Sequence, residues 1–207
     1  MDVAAFVEAA YDEARALLPA VPEGVRFDVD ERAIVIPGWG VGGYALTGKR
    51  VLIGYEESIG EELLRLRLRG VVFHECVHLA QGFTADEWLP APIAALDYAI
   101  YEGCATVFER DRAGDEPPWG SYLDEATMLA WAHELAELPP SDDLERWLFY
   151  DPATGRQSMI YRTGAFIIDR ALARSGESIE SMLDWTPEQI HTTAAWRQAT
   201  VVQRRSM

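Results

Sequence analysis

Residues 61–82 read Glu61-Glu62-Leu63-Leu64-Arg65-Leu66-Arg67-Leu68-Arg69-Gly70-Val71-Val72-Phe73-His74-Glu75-Cys76-Val77-His78-Leu79-Ala80-Gln81-Gly82. Two periods compete in this stretch. The Leu-Arg run from Leu64 to Arg69 alternates with period two, as a half-buried strand would. Leu64, Leu68, Val71, Glu75 and His78, in contrast, follow i, i+4, i+7 spacing, which stacks side chains on one helix face. Gly70 is the sole breaker before Gly82. The spacing predicts one long helix over 61–81.

Working outward, residues 3–18 place Val3, Phe6, Val7, Ala10, Ala14, Leu17 and Leu18 at helical spacing, and Pro19 and Pro22 stop that helix. Val25–Val29, Ala33–Ile36 and Arg50–Tyr55 are rich in β-formers. Pro37-Gly38 and a stretch with Gly40, Gly42, Gly43 and Gly48 separate them, which reads as a small meander of three or four strands. Beyond the long helix, helical patterns cover 91–111, 122–138, 141–149, 157–174, 177–184 and 187–204. Sheet first and helices afterwards predict an α+β fold with a small, mostly antiparallel sheet. One domain is expected over 1–207, with a helix and sheet at 1–59, the central helices at 60–113 and further helices at 114–207.

The 207 residues carry 18 Lys+Arg against 34 Asp+Glu, a formal net charge of −16. An acidic surface repels phosphate, so nucleic acid and anionic membrane are poor partners. No stretch approaches the roughly 20 apolar residues that span a bilayer. The acidic N-terminal segment lacks a basic region followed by an apolar one, so no signal peptide is expected. Two cysteines, Cys76 and Cys104, are too few for a disulfide scaffold. A cytoplasmic protein with reduced thiols is the expectation.

Within the long helix stands His74-Glu75-Cys76-Val77-His78, an H-E-x-x-H pattern. Residues four apart lie one turn above each other, so His74 and His78 can share one metal ion. Glu75 projects about 100° round the helix from His74. It therefore flanks the metal, where it can accept a proton from water. A catalytic zinc site usually takes three protein ligands and leaves one position open. Glu102, in Tyr101-Glu102-Gly103-Cys104-Ala105-Thr106-Val107-Phe108, is the candidate third ligand. It is a charged residue in an apolar run, and such a residue needs a partner. Gly103 and Ala105 are small enough to let two helix backbones come close. Thr106 and Asp97 are candidates to accept the outer ring N–H of a ligating histidine.

His74-Glu75-x-x-His78, Glu102-Gly103-x-Ala105 and Tyr161-x-x-Gly164-Ala165, in that order, resemble the gluzincin branch of zinc metallopeptidases. The second and third elements are similar to those of the M1-type aminopeptidase core. The layout as a whole resembles most the family of predicted Zn-dependent proteases, DUF2268, over about residues 50–185. The resemblance implies a zincin-like core, Zn2+ held by His74, His78 and Glu102, and catalysis by Glu75. It also implies that Tyr161 donates a hydrogen bond to the oxyanion, with Arg162 as a weaker alternative. The substrate implied is a peptide or protein. The alternative is a zincin-fold module that binds peptides or proteins with little hydrolysis.

Cys76 and Cys104 each follow a proposed ligand by two positions, so they point away from it and read as buried structural thiols. His133-Glu134 has Glu137 where a second histidine is needed, and reads as an exposed helix face. The edge strand expected to receive an extended peptide is Lys49–Tyr55, with the glycines at 40–43 permitting close approach. Trp39, Trp88, Trp119 and Trp131 are candidate pocket residues. The net charge predicts a preference for basic or neutral polypeptides.

Overall fold

The computed structural model describes residues 1–29, 34–85, 92–141 and 144–197. The chain is α+β and packs as two units, residues 1–90 with 108–116, and residues 91–107 with 117–207. No helix among the described residues is long and apolar enough to cross a membrane.

In the first unit, α1 (Val3–Leu17) starts where the Asp2 carboxylate accepts the Ala5 N–H at 3.1 Å. Its buried face is Val7, Ala10, Tyr11 and Ala14. Three strands follow, β1 (Arg26–Val29), β2 (Val41–Thr47) and β3 (Arg50–Tyr55), in the order β1-β3-β2. β2 and β3 form an antiparallel hairpin, whereas β1 runs parallel to β3, with Phe27 opposite Val51. The sheet is thus mixed, with β3 antiparallel to β2 on one side and parallel to β1 on the other.

The glycine-rich stretch forms strand β2, so glycine there serves close packing instead of interruption. Of the expected strand at Ala33–Ile36, Ala33 lies outside the described residues and 34–36 are irregular. They cross the sheet. A Cβ on Gly42 would overlap the Ile34 carbonyl, and one on Gly54, its register partner, would lie 3.1 Å from the Val35 nitrogen.

The quoted stretch forms one helix, α2 (Glu61–Gln81), which packs on α1 and β2. Its N-terminal half buries Leu64 and Leu68 and leaves Leu63 and Leu66 exposed. The arginines of the run each have a use. Arg65 pairs with Glu61 at 2.7 Å, and Arg67 stacks 3.7 Å over Trp39 and donates to its carbonyl. Arg69 pairs with Glu13 and donates to the Ala113 carbonyl at 2.6 Å. From Gly70 to Leu79 every residue is buried. The helix stops at Gly82, whose left-handed backbone (φ 67°) lets the Phe83 N–H reach the His78 carbonyl at 2.8 Å.

The second unit is built on α3 (Ala95–Phe108), α4 (Glu125–Glu137), α5 (Glu145–Leu148), α6 (Met159–Ser175), α7 (Ile179–Met182) and α8 (Pro187–Ala194). A two-stranded ladder joins β4 (Tyr150–Asp151) to β5 (Arg156–Gln157). The expected helices at 141–149 and 177–184 shrink to single turns, and from residue 198 onward the last one lies outside the described residues. α6 packs against α4 and α8. α3 and α6 touch through glycine. A Cβ on Gly103 would overlap the Gly164 backbone, and one on Gly164 would overlap the Ala99 carbonyl. At its C-terminal end α3 passes into a π-helical turn, Glu109–Ala113, closed by Gly114 at φ 74°.

Candidate metal centre

His74 and His78 stand one turn apart on α2, with ring centroids 4.8 Å apart and planes at 78°. The His78 ring also lies 5.2 Å from Phe83, where the chain turns back after the helix. Both histidines and Glu102 are buried. One ligand atom from each lies within 4.8 Å of the others, and this group could hold a metal ion. Two imidazoles and a carboxylate make the donor set of a catalytic zinc site with a position left open.

Glu75 is buried beside β2. A Cβ on Gly43 would lie 2.6 Å from Glu75 Oε1 and 2.7 Å from its Cγ. Gly43 is therefore where the strand backbone meets the Glu75 side chain, and any larger residue would displace that carboxylate. The sequence suggested close approach by a peptide at these glycines; the close approach seen is to Glu75. Lys49–Tyr55 is not the edge either. Among the described strands, β3 is paired on both sides and β2 lies at an edge.

His74 Nδ1 lies 3.1 Å from Glu109 Oε2, with both groups buried. This carboxylate is absent from the sequence-based candidates. Its signal was nonetheless present, since Glu109 follows Glu102 by seven residues, about two turns on the same face. The two named candidates lie elsewhere. Asp97 pairs with His191 Nε2 at 3.3 Å. The Thr106 hydroxyl is buried and makes no hydrogen bond among the described residues.

Tyr161 is on α6, one turn before Gly164, and its ring lies 6.0 Å from Trp119. Glu102 adjoins Gly103, so the glycine crossing brings the helix segments bearing Glu102 and Tyr161 to backbone contact. Arg162 donates to the Ser121 carbonyl, and burial lowers its pKa. Cys76 and Cys104 are buried and form no disulfide among the described residues, and burial pushes the Cys76 thiol up. His133 is not on a bare face, because its ring packs 4.9 Å from Trp196. Of the tryptophans proposed to line pockets, arginine covers Trp39 (Arg67) and Trp131 (Arg156). Trp88 lies outside the described residues.

A family model described as predicted Zn-dependent protease (DUF2268) matches residues 10–192. The chain belongs to this family. No curated protein and no solved structure matches.

Proposed function

We propose that this member of the predicted Zn-dependent protease family hydrolyses peptide bonds, with His74, His78 and Glu102 as metal ligands and Glu75 as the general base. The observation that carries the reading is the buried convergence of both H-E-x-x-H histidines with Glu102. Zinc there would polarise the peptide carbonyl and lower the pKa of a water toward ~7. Glu75 takes one proton of the attacking water as its oxygen adds to the carbonyl carbon. The same carboxyl returns the proton to the nitrogen as the C–N bond breaks. Contact with Gly43 limits where the Glu75 carboxylate can lie, which suits a group that must meet a water in one orientation.

Tyr161 donates a hydrogen bond to the oxyanion in this reading, its place on α6 set by the Gly103–Gly164 crossing. The substrate is an extended polypeptide, and β2, an edge strand bearing Gly43, is the element suited to pair with it.

The test is zinc content together with turnover of an unstructured protein substrate. Purified chain should carry about one zinc per molecule. Glu75→Gln should keep the metal and lose turnover, whereas His74→Ala should lose both. A wild type that binds no zinc overturns the reading. A wild type that binds zinc and peptide without cleavage, equally in Glu75→Gln, identifies a binding module.

A further inference from the structure

One turn before His74, α2 carries Gly70, and two carboxylates converge on it. A Cβ built there would lie 2.6 Å from Asp115 Oδ2 and 2.9 Å from Glu109 Oε1. Both acids are buried. Glu109 turns its other oxygen, Oε2, to His74 Nδ1 at 3.1 Å. Asp115 Oδ2 is buried with no hydrogen-bond partner among the described residues.

The backbone around the pair is built to hold it. Glu109 opens the π-helical turn, and π turns re-aim side chains at functional positions. Arg69, the residue before Gly70, ties the end of that turn to α2 through the carbonyls of Arg112 and Ala113. Gly114 then reverses the chain, and Asp115 returns toward α2.

We infer that Glu109 is a positioning residue for His74, fixing the ring through Nδ1, and that Asp115 holds Glu109 in the space Gly70 leaves. A ring held at Nδ1 by an acceptor carries its proton there and presents Nε2 as the lone-pair donor. The negative charge also makes the imidazole a stronger donor. The hydroxyl of Thr106, one turn after Glu102, makes no hydrogen bond among the described residues, and the acceptor at His74 is a carboxylate nearly another turn on. Two adjacent buried carboxylates cannot both ionise cheaply. Burial first, and the Glu109 charge second, push the Asp115 carboxyl up to about 7, while Arg67 pulls it down. Asp115 can thus hold a proton in the gap beside Gly70.

The inference rests on the reading that His74 is a metal ligand. Its test uses the full chain, stripped of metal and titrated with zinc against a chelator of known affinity. Glu109→Ala should bind zinc roughly 10–100-fold more weakly with its circular dichroism unchanged, and Glu109→Gln should recover part of that loss. Gly70→Ala removes no carboxylate, yet should weaken zinc by displacing the pair. Asp115→Ala should also weaken it, and Asp115→Asn, which fills the same space, should restore it. Wild-type zinc affinity in Glu109→Ala overturns the role of Glu109. Wild-type affinity in both Gly70→Ala and Asp115→Ala overturns the role of Asp115.

The nitrogen resonances of the His74 ring in the metal-free chain give a second readout. An Nδ1–H tautomer in wild type that is lost in Glu109→Ala supports the inference even if zinc binding, and with it the peptidase reading, fails. An unchanged tautomer overturns it.

Discussion

Two helices of this chain carry a His-Glu pair, α2 with His74-Glu75 and α4 with His133-Glu134. On α2 both residues are buried, and a second histidine one turn on joins Glu102 in a group that could hold a metal. On α4 the position of the second histidine holds Glu137, His133 packs on Trp196, and Glu134 pairs with Arg156 at 2.5 Å with 42% of its side chain exposed. The same dipeptide is thus a candidate site in one place and a surface contact in the other. Burial and a converging third residue make the difference, since water screens the α4 pair and leaves little for a ligand to gain.

The largest expected effect tests the contrast directly. Glu75→Gln should lower turnover by about 10²–10⁴-fold, the range for losing a general base, while Glu134→Gln leaves it within about twofold. Equal effects at the two sites, read as kcat/KM on one substrate, would break the comparison.

The next concerns the glycine crossing that α4 lacks and α3 has. Gly103→Ala or Gly164→Ala forces a methyl into facing backbone and should cost about 1–3 kcal/mol or more in denaturant unfolding. Gly155→Ala meets no atom within 4 Å but carries φ 72°, so its cost is that of the left-handed backbone, about 1 kcal/mol. Should Gly103→Ala unfold at the wild-type midpoint, the close crossing is not formed.

A third prediction follows the buried acid near α2. Asp115 has its folded pKa raised from 3.8 to about 7, so between these values the folded chain holds more protons than the unfolded one. Stability from this group is therefore greatest below pH ~4 and falls as pH rises to ~7, by up to about 4 kcal/mol. Asp115→Asn in metal-free protein should flatten that fall, seen as a Tm gain at pH 8 that vanishes near pH 4. The Glu134–Arg156 pair makes the counterexample. Glu134→Gln should change stability by less than about 1 kcal/mol at any neutral pH.

The smallest effect is long-range. With a net charge of −16, basic peptides should be cleaved a few-fold faster than acidic ones at low salt. The ratio should shrink toward one in 0.5 M salt, and equal rates at low salt would return the charge to a role in solubility alone.

Local pattern carried much of the fold. α2 was legible residue for residue, because i, i+4, i+7 spacing outweighs a six-residue alternation whose arginines have their own partners. β3 was equally legible from its run of β-formers. β2 was not, since glycine reads as a breaker until something is seen to press on it. The parallel β1–β3 pairing and the edge position of β2 were also hidden, for strand order depends on which side of β3 each strand enters.

Of the candidate site, the sequence by itself determined what helical geometry fixes within one element. His74 and His78 share a face, and Glu75 sits beside them. The order of motifs added Glu102. Tertiary structure alone decided what touches these residues, because contacts between elements depend on packing that no spacing encodes. It put Gly43 against Glu75, Asp97 with His191, and Glu109 on His74 in place of Thr106. It also revealed why Gly70 must be small. That residue looked like a flaw in the helix, and it is the gap through which two carboxylates reach α2.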